Sequence, residues 1–407
     1  MFYIRVFAII GFDGGANSMS EIRRLLPASG IRAIFNIASE MERRGEKVLH
    51  LEIGRPDWKL PPGVEDAAVD ALRGGFVHYI ANRGLLELRE AVARDIKRRS
   101  GRDYDPESEI ILTLGGSEAV CMAILAMIGP EDEVIVPLPS WPHYSPIVEM
   151  AGGCPVYVHC RVEDGFAYVP KDFRAAVTDR TRMIILSNPN NPTGTVQKRE
   201  NLKEIVELAI EKDILILADE VYQDFVFEGE HVPLASLLED KSHLIVVNSF
   251  SKSYAMTGWR IGWTATDARM SDAMNRIHQY LTVCGVSFAQ KGVVGLLDDG
   301  RLSQYLAEMK EEFRRRYEVW RDAFRGLDCV TLVPPGGAFY LFPEIRIREM
   351  NARAFCEKCL REIKVAMVPG DVFGERYGRC VRISYGRDLE TQKEAASRLI
   401  NYIRKSA

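Results

Sequence analysis

A basic excess is the first thing this chain does without. Its 53 lysines and arginines face 57 aspartates and glutamates, a net charge of -4, so no cationic surface recommends a nucleic acid as partner. The eight cysteines follow no framework of short, regular spacings, which argues against a disulfide scaffold and suits free thiols in a reducing compartment, the cytoplasm by default. Cys356 and Cys359 make a single C-x-x-C with no second pair or histidine beside it, in a stretch from Ala352 to Lys364 that reads as helix. Packing thiols are expected there, and no metal site. No apolar run approaches the roughly 18 residues that a membrane span needs. The opening MFYIRVFAIIGF is interrupted by Arg5 and lacks a small-residue cleavage site, which argues against a signal peptide. Met19 begins a more ordinary start, so residues 1–19 read as an extension. Also absent are a G-x-G-x-x-G turn after an early strand and the Lys-Ser/Thr ending of a Walker loop, so neither a nicotinamide site nor a P-loop is expected.

What is present is an ordinary globular composition, 47% hydrophobic over 407 residues, long enough for two or three packed cores. From Ile110 to Leu244 a short apolar run, a polar or glycine-containing turn and a helix-periodic segment recur. The runs are IILTL, EVIVPL, RMIILS, ILILA and LIVVNS, and continuous β-branched runs of this kind suit strands covered on both faces, as in a parallel sheet. The fold class is α/β. Segments from Ala289 to Phe324 read as long charged helices, and from Thr331 a smaller α+β unit runs to a helix near Tyr402.

In such a sheet ligands sit beyond the carboxyl ends of the strands, and there the chain is polar: Gly115-Gly116-Ser117-Glu118, then Asn188 to Gly194, then Asp219-Glu220-Val221-Tyr222, then Ser249-Phe250-Ser251-Lys252. Lys252, flanked by small residues and with Arg260 downstream, is placed to become a nucleophilic amine that forms an imine with an aldehyde; a solvated strand-end lysine is the plain alternative. A carboxylate at Asp219, closing an apolar run, is costly without a cationic partner, which a protonated pyridine nitrogen supplies; otherwise it is a cap or a structural ion pair. Gly116 and Ser117 at a helix start offer an anion site.

Taken together, TLGGSEA, SNPNNPTG, ILADEVY and NSFSKSYAMTGWRIG resemble the class I/II aminotransferases, the fold-type I family that depends on pyridoxal 5'-phosphate (PLP), over nearly the whole chain from about Ser20. The subgroup resembled contains prokaryotic aspartate aminotransferases. The resemblance implies a large domain with a mostly parallel central sheet (61–300), a small C-terminal domain (301–407) and an N-terminal segment contributing to the small domain (20–60). It makes Lys252 the Schiff-base lysine and proton shuttle, Asp219 the partner of the ring nitrogen, and Asn191 and Tyr222 the hydrogen-bond partners of the phenolic oxygen. Trp141 would stack on the ring, and Gly116, Ser117, Ser249 and Arg260 would hold the phosphate. Tyr79 matches a tyrosine that reaches the neighbouring subunit's phosphate, which implies a homodimer with shared active sites.

Arg382 in CVRISYG matches the arginine that receives the substrate α-carboxylate, and Gly54 a glycine that lets a loop approach the substrate. An acidic or amide residue commonly follows that glycine; this chain has Arg55, which could read a distal carboxylate and so favour aspartate or glutamate but is expected instead on the surface beside Asp57 or another acid, while Trp58, Tyr144 and Tyr340 could build an aromatic-tolerant pocket. The activity implied is transfer of the amino group of aspartate, an aromatic or another neutral donor to a 2-oxo acid, 2-oxoglutarate by preference. A β-lyase or synthase of the same fold is the alternative, because the same residues serve elimination.

Overall fold

The structure, a computed structural model, describes residues 29–347 and 350–406; the expected extension at 1–19 lies outside them. Its centre is a seven-stranded sheet. In chain order the strands are β1 (Ile110–Thr113), β2 (Glu133–Leu138), β3 (Cys154–His159), β4 (Thr181–Ser187), β5 (Leu215–Asp219), β6 (Leu244–Ser249) and β7 (Gly262–Ala265). They lie in the order β1-β7-β6-β5-β4-β2-β3, parallel except for β7, which runs antiparallel to both its neighbours. Successive side chains of a strand point to opposite faces. Every residue of β1, β2, β6 and β7 is nevertheless buried, so helices cover both faces and the apolar runs need not alternate.

The five runs read from the sequence are β1, β2, β4, β5 and β6. Two strands escaped that reading for physical reasons. CPVYVH forms the edge strand β3, half-exposed and without the continuous apolar signal, while GWTA in β7 is four residues with a glycine at its start. Gly262 is required there: a Cβ would come within 2.5 Å of the Gly115 carbonyl carbon and 2.7 Å of the Gly116 nitrogen.

Helix Leu302–Phe324 buries Tyr305, Met309, Phe313, Tyr317, Trp320 and Phe324, an i, i+3/i+4 stripe. It packs on the C-terminal helix Leu389–Ser406, where the Trp320 indole donates to Gln392 Oε1 at 2.8 Å. A three-stranded antiparallel sheet places Val381–Ser384 between Tyr340–Leu341 and Val368–Pro369. Leu49–His50 pairs in parallel with Val365–Ala366, and helix Gly30–Arg43 buries Ile34, Ala38 and Met41 against Leu360 and Ala366.

The segment expected to be one helix from Ala352 to Lys364 is α-helical only to Lys358 and closes in a π turn, Cys359–Ile363, ended by Lys364 in the left-handed region. Cys356 and Cys359 are fully buried there, and burial pushes both thiols up, away from the thiolate that metal or redox chemistry uses. All eight cysteines are free. No helix among the described residues is long and apolar enough to cross a membrane.

Candidate active site

The strand ends open into a cavity of about 330 Å³. Gly116 and Ser117 begin the helix after β1, Trp141 follows β2, and Asn191 follows β4. Asp219 ends β5 with Tyr222 just beyond, and β6 runs into Ser249 and Lys252, with Arg260 before β7. Gly54 and Arg382 enter from the opposite wall. Each site residue expected from the sequence lines this cavity except Tyr79, whose side chain stands 86% exposed.

Lys252 lies in a single helical turn, Phe250–Ser253, capped by the Ser249 hydroxyl, which accepts from the Ser251 amide. Its Nζ donates to the Gly54 carbonyl at 2.6 Å. Desolvation, then the charges of Arg382 and Arg260, drive its pKa down to about 8, with Asp219 opposing them. An amine so placed keeps a useful uncharged fraction near neutrality.

Asp219 is buried, and its carboxylate accepts from the Tyr144 hydroxyl at 2.6 Å and the Val221 amide at 3.3 Å. Burial raises its pKa in spite of those two bonds. No basic side chain among the described residues forms an ion pair with it, so its charge is left for something that enters the cavity. The sequence reading placed Tyr144 in the pocket wall as a possible substrate-contacting aromatic; its hydroxyl is instead committed to Asp219. Trp58, offered for the same role, does not line the cavity. Tyr340 does, with its hydroxyl 2.7 Å from that of Tyr222.

Arg382, on the middle strand of the small sheet, is 2% exposed. Its Nη1 donates to Asn191 Oδ1 at 3.1 Å and its Nη2 to the Glu52 carbonyl. The guanidinium lies over the Tyr340 and Phe373 rings, 4.7 and 5.0 Å from their centroids, while its Nε finds no partner. Burial lowers its pKa from the ordinary arginine value. A buried cation with an unused donor facing a cavity is a receptor for a carboxylate.

At the other end, Arg260 donates to the Leu114 and Thr257 carbonyls at 2.9 and 3.1 Å, which aims its fork past the start of helix Gly116–Met127. A side chain at Gly115 would collide with that guanidinium. A second network behind the loop was not legible in advance. Glu118 accepts from the Leu114 amide at 2.5 Å, His278 Nδ1 lies 2.9 Å from its carboxylate, and the Thr282 hydroxyl donates to it at 2.8 Å. The signal was half present, since Glu118 stands in GGSE, but its partners lie more than 150 residues downstream.

Gly54 is required by contact: a Cβ there would fall onto the Tyr340 hydroxyl. Its neighbour Arg55 is exposed, as expected, but the expected acid beside it is missing among the described residues. Asp57 does not pair with it but accepts from Arg316 Nη1 at 2.6 Å, and Arg55 lines the cavity. Ser251, Arg32 and Phe35 line it too without having been singled out.

A model of the family described as aminotransferase class I and II matches residues 46–399. Among curated relatives, the putative aminotransferase YugH of Bacillus subtilis (strain 168) is 38% identical, with 95% of this chain and 99% of the relative covered. Aromatic-amino-acid aminotransferase 2 of Thermococcus litoralis is 38% identical, with 94% and 97% covered. Among solved structures, aspartate aminotransferase from Thermus thermophilus with maleate superposes with a TM-score of 0.88 at 33% identity, covering 94% of this chain and 98% of that one.

Proposed function

The chain belongs to the class I and II aminotransferases, and from that membership we infer how its residues divide the work of moving an amino group between an amino acid and a 2-oxo acid. The family depends on PLP, and the residues present fit it. A buried carboxylate without a cationic partner suits a protonated pyridine nitrogen, and a helix start flanked by serines and Arg260 suits a phosphate. When bound, PLP supplies an aldehyde that condenses with amines and a ring that withdraws the electron pair left behind as the substrate α-proton departs.

Lys252 would hold the cofactor between turnovers, and its Nζ would then take the proton from the substrate Cα. Asp219 would pair with the ring nitrogen, and Tyr144 keeps Asp219 oriented. Asn191 and Tyr222 would hydrogen-bond the phenolic oxygen, Trp141 would face the ring, and Gly116, Ser117, Ser249 and Arg260 would hold the phosphate. Arg382 receives the α-carboxylate in a fork that ammonium cannot reproduce. Gly54 leaves room for the substrate and offers its carbonyl to the Lys252 amine. Elimination finds no support among the relatives, which are named as aminotransferases.

Tyr79 belongs to the site of a second copy. Tyr79 and Val77 on one segment and Tyr280, Leu281 and Val283 on another are exposed apolar residues, and the two segments meet where the Asn82 amide donates to the Val283 carbonyl. Such a patch marks an interface, which supports a homodimer with shared sites. Free thiols throughout suit the cytoplasm, and 2-oxoglutarate is the proposed acceptor.

One observation carries the reading: a lysine driven to a pKa of about 8 shares a cavity with a buried, unpaired carboxylate. Borohydride treatment of the yellow purified protein should fix the cofactor to Lys252, and Lys252→Ala should abolish turnover with the circular dichroism spectrum unchanged. Label on any other lysine would refute the assignment.

A further inference from the structure

Helix Gly116–Met127 carries an acid in its first turn, Glu118, at the end whose free amides and dipole are to receive the phosphate. Attraction for an anion would be greater without that charge. The Glu118 side chain is only 8% exposed and does not line the cavity, so it touches neither cofactor nor substrate. A carboxylate buried in this way is costly unless its oxygens are occupied.

They are occupied from two directions. One oxygen takes the Leu114 amide, in the chain just before the helix, at 2.5 Å. The other takes the Thr282 hydroxyl at 2.8 Å and faces His278 Nδ1 at 2.9 Å. His278 lies in the last turn of helix Ala268–Leu281 and Thr282 caps it, and that helix packs on helix Gly116–Met127. Burial pushes the Glu118 pKa up, but the bonds from His278 and Leu114 outweigh it and hold the carboxyl below its ordinary value. The acid is thus kept ionised as a brace between two helices and a loop.

Leu114 connects that brace to the cavity. On its amide side it is tied to Glu118, and on its carbonyl side it accepts from Arg260 Nη2 at 2.9 Å. Gly115 follows with a φ of 78° and leaves room for the guanidinium. Thr113 ties down Gly115, accepting from its amide at 2.8 Å and donating to its carbonyl at 3.1 Å; Glu118 does the same for the residue between them. A freed Leu114 amide would let that residue rotate, and the carbonyl that aims Arg260 would turn with it.

We propose that Glu118 is a positioning residue for the cofactor phosphate: braced by Thr282 and His278, it fixes Leu114 and, through Leu114, the Arg260 fork beside the helix start. This rests on the PLP reading above. Glu118 then matters to the phosphate and not to the ring, which other strand ends receive, whereas a carboxylate that merely supported the fold would matter to both.

The purified enzyme is stripped of cofactor and titrated with PLP and with pyridoxal, which has the same ring and aldehyde but no phosphate, and bound cofactor is read from its absorbance. Wild type should bind PLP far more tightly than pyridoxal. Glu118→Ala should weaken PLP by roughly tenfold or more and pyridoxal by less than about twofold, the loss expected when a charged hydrogen bond serves one part of the ligand alone. Glu118→Gln should stay within about threefold of wild type for both, because the amide oxygen still accepts from Leu114 and the amide nitrogen donates to the brace. Thr282→Val removes one brace and keeps the Leu114 bond, so PLP should weaken by roughly threefold with pyridoxal unchanged. Equal weakening of PLP and pyridoxal overturns the proposal, as does undiminished PLP binding in Glu118→Ala or, should that variant not fold, in Thr282→Val. Wild type that binds PLP no better than pyridoxal would instead overturn the cofactor reading itself.

Discussion

The two ends of the cavity are built differently. The inner end rests on the strand termini of the central sheet, where Asp219 and Ser249 are buried and their polar atoms are held by named partners at 2.6 to 3.3 Å. The rim is built from a helix and a loop outside that sheet, and its two arginines, Arg32 and Arg55, are exposed and form no ion pair among the described residues. Chemistry that must stay the same from one substrate to the next is set in the rigid layer, and choice among substrates is left to side chains that can change without disturbing a core. A buried group substituted at the inner end should therefore harm every substrate alike, whereas a rim substitution should re-rank them.

The largest effect expected within that contrast is at Asp219. Asp219→Asn keeps the shape and removes the charge, so kcat should fall by roughly a hundredfold whichever donor is used, with PLP still bound. If more than about a tenth of kcat survives, about 1.4 kcal/mol of barrier or less, the carboxylate does not hold the ring nitrogen. Arg382→Lys comes next: loss of the fork should raise KM or lower kcat/KM by roughly tenfold or more for acidic and aromatic donors together. A loss confined to one class would show that Arg382 does not receive the α-carboxylate that every donor shares.

Tyr144→Phe should be milder, a drop in kcat of roughly fivefold, the worth of a single hydrogen bond of about 1 kcal/mol. Its hydroxyl is one of two bonds holding the Asp219 pKa down against burial, so the variant should protonate Asp219 at higher pH and lose activity from the acid side first. An unchanged acid limb in the pH profile would show that Tyr144 serves packing alone. The smallest effect is a pH dependence. Binding of PLP to the apoenzyme needs the uncharged Lys252 amine, so its rate should rise with pH and level off above a pKa of about 8. Between pH 8 and 9 stopped-flow absorbance should record less than about a twofold gain, where an ordinary lysine near 10.4 would give nearly tenfold.

The parts legible from sequence were those with a local signature. A continuous apolar run announces a buried strand, and the polar residues after it announce the ligand edge, so β1, β2, β4, β5 and β6 and the groups at their ends could be named together. Arg382 and Gly54 needed resemblance, because nothing near them in the chain points to a cavity. The bond from Tyr144 to Asp219, the pairing of His278 with Glu118 and the loss of Asp57 as a partner for Arg55 stayed hidden for another reason. Each is set by partners distant in sequence or by a competitor, as when Arg316 takes Asp57, and no spacing rule reports on pairs of that kind. The edge strand β3 and the glycine-led β7 were missed because half-exposure and brevity erase the pattern that marks their neighbours.

The reversed direction of β7 carries a last consequence. Ser249, at the end of β6, and Gly262, at the start of β7, are opposite one another on the same rung. The chain leaves the sheet and returns to it at one point, and residues 250–261 form a closed excursion that includes Lys252 and Arg260. The amine and the phosphate fork are therefore one contiguous cassette, anchored at both ends by a single strand pair. An insertion or deletion between Lys252 and the strand pair would displace the reactive nitrogen and its anion anchor together, whereas the other loops of this site carry neither group.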